Sequence, residues 1–179
     1  AGLLTNPTIV VCKVFNDEGL SSSSDVMQAM SYLKDHGVSI VNYSGGGGDY
    51  NQSYYERIEE LSEADVLLTF PAGNTAQDND AVPQYPSSYD NTNIISVGGH
   101  DSDGTVKLNY GQSSVDLFGP GVQVATTGLD NTYVYVAGSS FSAPLVAAVA
   151  AAIKRIKPNW TTPDIKQAIL GSVVKDDDL

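Results

Sequence analysis

Short apolar runs alternate with amphipathic stretches along the first hundred residues. The apolar runs are rich in β-branched residues and predict buried strands at Thr8 to Phe15, Val38 to Ser44, Asp65 to Phe70 and Asn93 to Gly98. Between them, apolar side chains three and four positions apart predict two helices, Asp25 to His36 with Ser24 as its N-cap and about Gln52 to Ala64. Strands and helices in this order require right-handed crossovers, and therefore predict an α/β fold with a mainly parallel sheet and helices on both faces.

The second half of the chain has a different pattern of residues. Short strands and turns rich in Gly and Pro predict antiparallel or irregular structure from Gly104 to Tyr135. Two helices then close the chain, one from about Ser140 to Lys157 and one from about Thr162 to Val173, with Thr162 and Pro163 at its start. No repeat or linker divides the sequence, which predicts a single domain over residues 1–179.

Composition and charge narrow the classes of function. With 179 residues, 41% of them apolar, the chain is long enough for one domain with a core. The net charge of −12 would repel phosphate backbones, so we expect no nucleic acid partner. The longest apolar candidate, Ala143 to Ile156, is interrupted by Lys154 and Arg155, so we expect no membrane span. One Cys and two His cannot form a clustered zinc site, so any metal would be a hard cation bound by oxygen atoms.

The segment from Gly138 to Pro144 carries the strongest local signal for chemistry. Small residues and serines precede a helix with a proline in its first turn. A serine there meets unpaired N–H groups and the positive end of the helix dipole, which favour developing negative charge and suit an acyl-transfer nucleophile. The alternative is that Ser139 or Ser140 only caps the helix.

Two further segments contain candidate functional residues. Asn74 follows a strand and the small-residue turn Pro71, Ala72 and Gly73, where its amide would be placed to stabilise an oxyanion, or would be an ordinary turn residue. The run from Ser44 to Gly48 lacks the Lys-Ser/Thr ending of a phosphate loop, and it instead favours a bare strand edge that another backbone can approach.

In order and spacing these three segments resemble the subtilases, the subtilisin-like serine proteases. The family's Gly-Thr-Ser-x-Ala-x-Pro motif aligns with Gly138 to Pro144, with Ser139 in place of Thr and Ser142 in place of Ala. The resemblance implies that Ser140 is the nucleophile and that the Asn74 side chain is an oxyanion donor. Similarity continues from Thr8 to about Gly171.

The resemblance also implies how a peptide or protein substrate binds. Ser44, Gly45, Gly46 and Gly47 would pair with the substrate backbone and, with Pro71, Ala72 and Gly73, form the wall of a specificity pocket. Gly19, Leu20 and Ser21 would form the opposite edge. The family implies a secreted or secretory-pathway location. It requires no organic cofactor, although calcium is common in it, and here only Asp78 to Asp80 offers a local calcium candidate.

One departure from the family pattern affects the activity expected of this chain. Subtilases need an Asp and a His ahead of the region that this sequence matches, and neither His36 nor His100 occupies a triad position. We therefore expect an endopeptidase that acts through a Ser140 acyl-enzyme, but no activity from this chain alone. Three explanations stay open: a missing N-terminal segment, a nicked protease whose other piece stays bound, or a degenerate relative. The rival function is a pseudoprotease module that binds peptides by strand addition.

Overall fold

A parallel sheet of four strands forms the centre of the fold in the computed structural model, which describes residues 2–175. Its strands lie in the order β1-β2-β3-β4, with bounds Ile40–Asn42, Leu67–Pro71, Ile94–His100 and Leu117–Pro120. Every neighbouring pair is parallel, with Val41 opposite Leu68 and Gly99 opposite Gly119 as examples of the register. The predicted α/β class is confirmed.

Four helices and one hairpin complete the fold of residues 2–175. The helices are α1 Ser23–Asp35, α2 Gln52–Glu63, α3 Ser139–Ile156 and α4 Thr162–Leu170. The strands β5 Val124–Thr127 and β6 Tyr133–Val136 pair antiparallel in a hairpin outside the main sheet.

The two faces of the sheet are covered by different helices. All five residues of β2 are buried, which explains why four of them are apolar and the sequence does not alternate, while buried Thr69 donates to Asn42 Oδ1 at 3.1 Å. Leu68 and Phe70 pack into a core with residues of α1 and α2, whereas Leu67 packs into a second core with residues of α3 and α4. Helices therefore cover both faces, as the sequence predicts.

Helix α3 is the most apolar helix of the chain. By length and composition alone it would be long and apolar enough to cross a membrane. In the structure one of its faces packs across all four strands of the sheet, and Ala143 and Ala150 on that face are fully buried. This contact sets the start of α3 beside the carboxyl ends of the strands.

The predicted strand from Thr8 to Phe15 is wrong. The segment has no regular secondary structure, and Ile9 and Val11 are 71% and 82% exposed. A strand needs a neighbour for its backbone hydrogen bonds, and an apolar groove of about 860 Å³ separates this segment from the edge of β1. The other walls of the groove are α1, β5 and α3.

The remaining differences concern ends and partners of elements. The N-cap of α1 is Ser22, whose Oγ accepts from the N–H of Asp25, not Ser24. The N-cap of α4 is Thr161, which forms a capping box with Asp164. β4 joins the parallel sheet although its region reads as irregular in the sequence.

Candidate active site

The start of α3 lies against the turn that follows β2. Gly138 is the N-cap of α3, with a φ of 146° that favours glycine, and its N–H donates to the carbonyl of Gly121 at 2.8 Å. The Gly138 Cα lies so close to the Asn74 side chain that an added Cβ would stand 3.4 Å from its Oδ1. A bulkier residue at 138 would crowd the amide.

Ser139 fixes the orientation of the Asn74 amide. The Ser139 N–H donates to Asn74 Oδ1 at 2.8 Å, and its fully buried hydroxyl lies 3.0 Å from both Asn74 Oδ1 and the carbonyl oxygen of Gly73. The same hydroxyl accepts from the Gly73 N–H at 3.1 Å. With the amide oxygen held against α3, the Nδ2 group of Asn74 makes no hydrogen bond within residues 2–175 and stays available as a donor.

Ser140 is the second residue of α3 and is half-buried. Its carbonyl accepts from Ser44 Oγ at 2.8 Å, which joins the predicted nucleophile to the predicted substrate edge. In the part of the chain that the structure describes, no hydrogen bond engages Ser140 Oγ. In this first turn the Ser139 N–H donates to Asn74 and the Phe141 N–H donates to the Gly138 carbonyl. Within residues 2–175 the Ser140 N–H has no acceptor, so it is available for developing negative charge.

Neither histidine is positioned to take a proton from Ser140. His36 caps the end of α1, where its ring stacks on Tyr32 and its Nδ1 lies 2.8 Å from the Tyr32 carbonyl oxygen. His100 ends β3, and its Nδ1 lies 2.7 Å from the carbonyl oxygen of Asp101. Among the described residues, no hydrogen bond joins either ring to Ser140.

A buried pair of amides supports the turn that carries Asn74, and sequence reasoning missed it. Asn109 Nδ2 donates to Asn79 Oδ1 at 2.9 Å, and Asn79 Nδ2 donates to the carbonyl of Ala72 at 2.8 Å. Asn109 Oδ1 also accepts from the Thr75 N–H at 2.7 Å. Both amides are at most 1% exposed, so their hydrogen bonds form without competition from water.

The turn itself is shaped by the same amides. Pro71 ends β2, and Ala72, which is fully buried, donates its N–H to Val97 at 2.8 Å. Gly73 has a φ of 119°, and a Cβ there would overlap the side chain of Asn109. Glycine is therefore required at 73 by conformation and by space.

The segment Ser44 to Gly47 leaves backbone groups unpaired. Within the described residues, no backbone hydrogen bond engages Gly45 or Gly46, whereas the Gly47 N–H donates to the Tyr85 carbonyl at 3.0 Å. A Cβ at Gly45 would overlap the ring of Tyr43. The segment is not part of a strand, since β1 ends at Asn42 and not at Ser44 as predicted, but its unpaired backbone groups are open to another chain.

The opposite predicted edge, Gly19 to Ser21, is only partly open. The Leu20 N–H and carbonyl are both engaged by Asn16, through its side chain at 2.9 Å and its backbone at 2.8 Å. Ser21 Oγ pairs with Tyr43 Oη at 2.8 Å, which ties this segment to the one that runs into Ser44.

Comparison with known proteins decides the family. The sequence profile of the subtilase family matches residues 1–178. The chain belongs to the subtilase family. This confirms the resemblance and supports a serine protease at the level of the family.

Similar proteins include known proteases from bacteria and from a parasite. The chain is 28% identical to the Thermostable alkaline protease of Halalkalibacterium halodurans over 94% of its own length and 45% of the relative. It is 24% identical to Subtilisin BL of Lederbergia lenta over 92% and 60%, and 24% identical to Subtilisin-like protease 3 of Plasmodium falciparum over 97% and 25%. The chain thus spans between a quarter and about three fifths of these relatives.

This subtilase accommodates both departures from the family motif by hydrogen bonding. The Ser139 hydroxyl can donate a hydrogen bond to the carbonyl oxygen of Gly73 or to Asn74 Oδ1. Ser142 is fully buried, and its Oγ lies 3.0 Å from the carbonyl oxygen of Pro120. Because each buried hydroxyl has an acceptor, neither replacement leaves a polar group without a partner.

The calcium candidate of this subtilase is occupied by protein contacts. The Asp80 carboxylate accepts from the N–H groups of Ser113 at 3.1 Å and Ser114 at 2.9 Å. The nearby Ser114 side chain and then these N–H groups hold the pKa of Asp80 below its usual value. Within residues 2–175, no group of three or more His, Cys, Asp or Glu side chains is arranged to hold a metal ion.

Proposed function

We propose that this chain is the C-terminal part of a subtilase catalytic domain and that the complete domain cleaves extended peptides through an acyl-enzyme on Ser140. The observation that supports this function most is the orientation of Asn74. Its oxygen is held by Ser139, so its Nδ2 donor is free beside the residue before Ser140. An amide that merely filled a turn would not need its oxygen fixed at the start of a helix.

The chemistry assigns one role to each group. Ser140 Oγ bonds to the carbonyl carbon of the scissile peptide as its proton passes to a histidine supplied from outside these 179 residues. Asn74 Nδ2 and the Ser140 N–H stabilise the oxyanion. The C–N bond then breaks, the amine leaves with the proton, and water hydrolyses the ester.

On this proposal the chain is inactive by itself. Ser140 Oγ has no base among the residues that the structure describes, and an unactivated serine hydroxyl is a weak nucleophile. Oxyanion stabilisation and binding alone retain about 10³- to 10⁴-fold over water, far less than a complete triad provides.

The groove beside β1 is the proposed site for an upstream segment that supplies the missing groups. Within residues 2–175, β1 pairs only with β2, so its other edge is open there and faces the groove. The walls are apolar side chains such as Val14, Met30 and Leu145. An extended segment of the same protein, inserted between Thr8 to Phe15 and β1, would satisfy that edge and turn the apolar walls into core.

The proposed substrate and location follow from the same assignment. An extended peptide would bind between Ser21 and the unpaired backbone of Gly45 and Gly46. We propose a secreted or secretory-pathway protein, which agrees with the family and with the Asn-x-Thr triplet at Asn159, whose Asn is exposed.

The test compares the 179-residue chain with the product of the complete gene. A fluorophosphonate probe should label the complete product at Ser140, and the complete product should hydrolyse a peptide anilide. Both activities should be lost in Ser140→Ala, and the chain alone should show neither.

Labelling of the isolated chain would overturn its proposed inactivity. If the folded complete product does not label, the function is instead a pseudoprotease module that binds peptides by strand addition. The open backbone of Gly45 and Gly46 is the observation that favours this second candidate.

A further inference from the structure

A small cavity lies between the two segments that bind the peptide under the proposed function, on which this inference rests. Its walls include Ser21 from one segment and Gly46 from the other, and its volume is about 130 Å³. Since a water molecule occupies about 30 Å³ of liquid, the cavity has room for the outer atoms of one long side chain.

The walls of this cavity are mainly tyrosine. The rings of Tyr43, Tyr54, Tyr85 and Tyr89 line it. Tyr85 and Tyr89 lie 4.6 Å apart between ring centroids, and Tyr54 and Tyr89 lie 6.0 Å apart. Each ring face carries partial negative charge, so several rings around one space favour a cation within it.

The polar groups of the cavity favour the same charge. Asp49 is the charged residue on its lining, and no Lys, Arg or His of the described chain joins it there. Asp49 is exposed and therefore lies where the cavity meets solvent. The net charge of −12 adds a general attraction for basic ligands.

The hydroxyl of Tyr54 has no hydrogen-bond partner among the described residues. Tyr54 is 5% exposed, and its Oη is buried without a hydrogen bond in the part of the chain described. In contrast, the Tyr43 hydroxyl pairs with Ser21 and the Tyr89 hydroxyl donates to the carbonyl of Asn51 at 3.0 Å. Buried hydroxyls normally have partners, so a ligand that donates to Tyr54 would complete the cavity.

We infer that this tyrosine cavity binds a lysine or arginine side chain of the bound peptide. The rings surround the cation, Asp49 balances its charge at the rim, and Tyr54 Oη accepts from it. The cavity therefore gives this subtilase a preference for a basic residue at one position of its substrate, separate from the residue next to the scissile bond.

The test measures peptide binding to the 179-residue chain by fluorescence polarisation, so that catalysis is not needed. Dye-labelled decapeptides of Ala and Ser carry one lysine, moved through every position, and a matched series carries norleucine. At one position lysine should bind at least five-fold more tightly than norleucine. Asp49→Asn and Tyr54→Phe should each reduce that preference at least two-fold.

Asp90→Asn is the matched control, because Asp90 is exposed but does not line the cavity, and it should leave the preference unchanged. Equal or tighter binding of norleucine at every position, binding of neither series, or a preference that survives Asp49→Asn would overturn the inference. The proposed catalytic function is judged separately by fluorophosphonate labelling of the complete product. The two failures are therefore distinguishable.

Discussion

At the scale of single residues, Ser139 links the start of α3 to the turn that carries Asn74. Its hydroxyl accepts from one backbone group and can donate to one of two acceptors, while its N–H holds the Asn74 oxygen. The resemblance to subtilases implies that Ser140 and Asn74 belong to one site, but the sequence assigns no role to Ser139 beyond capping. The contacts with Gly73 and Asn74 are visible only once residues 65 and 66 positions apart are brought together.

Ser139→Ala should destabilise the chain. The change leaves the half-buried N–H of Gly73 without its acceptor, which costs about 1 kcal/mol. The free energy of unfolding from urea titration followed by circular dichroism measures the loss. Ser139→Thr keeps the hydroxyl and should lose less, and equal losses in the two variants would contradict the hydrogen-bonding role.

Asn74→Ala should reduce turnover by the complete gene product beyond what its loss of stability explains. The change leaves the N–H of buried Ser139 without its acceptor, which costs about 1–3 kcal/mol of unfolding free energy. The oxyanion also loses a donor, which costs about 10²- to 10³-fold in kcat of the folded enzyme. Steady-state kinetics on a peptide anilide and a thermal melt separate the two effects. A change in KM with kcat unchanged would show that Asn74 binds substrate without acting on the transition state.

At the scale of elements, the sequence predicts those whose apolar pattern is satisfied by contacts within the chain. β2 is buried on both faces, and its run of apolar residues around Thr69 identifies it as a strand. The same pattern fails at Thr8 to Phe15 because periodicity reports burial, whereas a strand also needs a neighbouring backbone. The support of Asn79 by Asn109 was beyond prediction, because these residues lie 30 positions apart in irregular segments.

Asn109→Ala should loosen the turn between β2 and the Asn79 segment. It removes the acceptor of the Thr75 N–H, whose hydrogen bond is partly buried, and the donor to the fully buried Asn79, and should cost at least about 2 kcal/mol. Urea unfolding measures the change. Asn159→Ala, at an exposed position without a side-chain hydrogen bond in the described chain, should have no measurable effect, and a similar small loss in both variants would contradict the network.

The capping box of α4 should make part of the stability depend on pH. The Thr161 N–H and then its hydroxyl hold the pKa of Asp164 below its usual value. Because the folded pKa is the lower one, this contribution is present above the unfolded pKa of about 3.9 and is lost as the pH falls through the folded pKa. The difference in unfolding free energy between the native chain and Asp164→Asn should therefore shrink between pH 6 and pH 3. A constant difference would contradict the role of the ionised carboxylate.

At the scale of the whole molecule, α3 has two apolar faces and only one of them is covered. One packs on the sheet, and the other lines the groove through Phe141, Leu145 and Ala148. Because one face of α3 packs on the sheet and the other lines an apolar groove, apolar residues occupy both faces of the helix. Under the proposed function the second face is covered when an upstream segment enters.

Ala148→Glu should block that assembly without unfolding the chain. Ala148 lines the groove and is half-buried, so a carboxylate there opposes entry of an apolar segment. Val149→Glu is the control, since Val149 is 46% exposed and lies outside the groove. Fluorophosphonate labelling of the complete product should fall at least ten-fold in the first variant and stay unchanged in the second. Equal labelling would contradict the assignment of the groove.

The open edge of β1 has a consequence for the order of assembly. An inserted segment would have to form backbone hydrogen bonds with β1 on one side and with Thr8 to Phe15 on the other. Pairing on either side would then fix the register of pairing on the other side. Pairing on both sides makes the final closure cooperative, because a slip in register on one side misaligns both. Ser140 would then gain its proton acceptor in one step with the last strand, and a half-folded enzyme would have no means of digesting its neighbours.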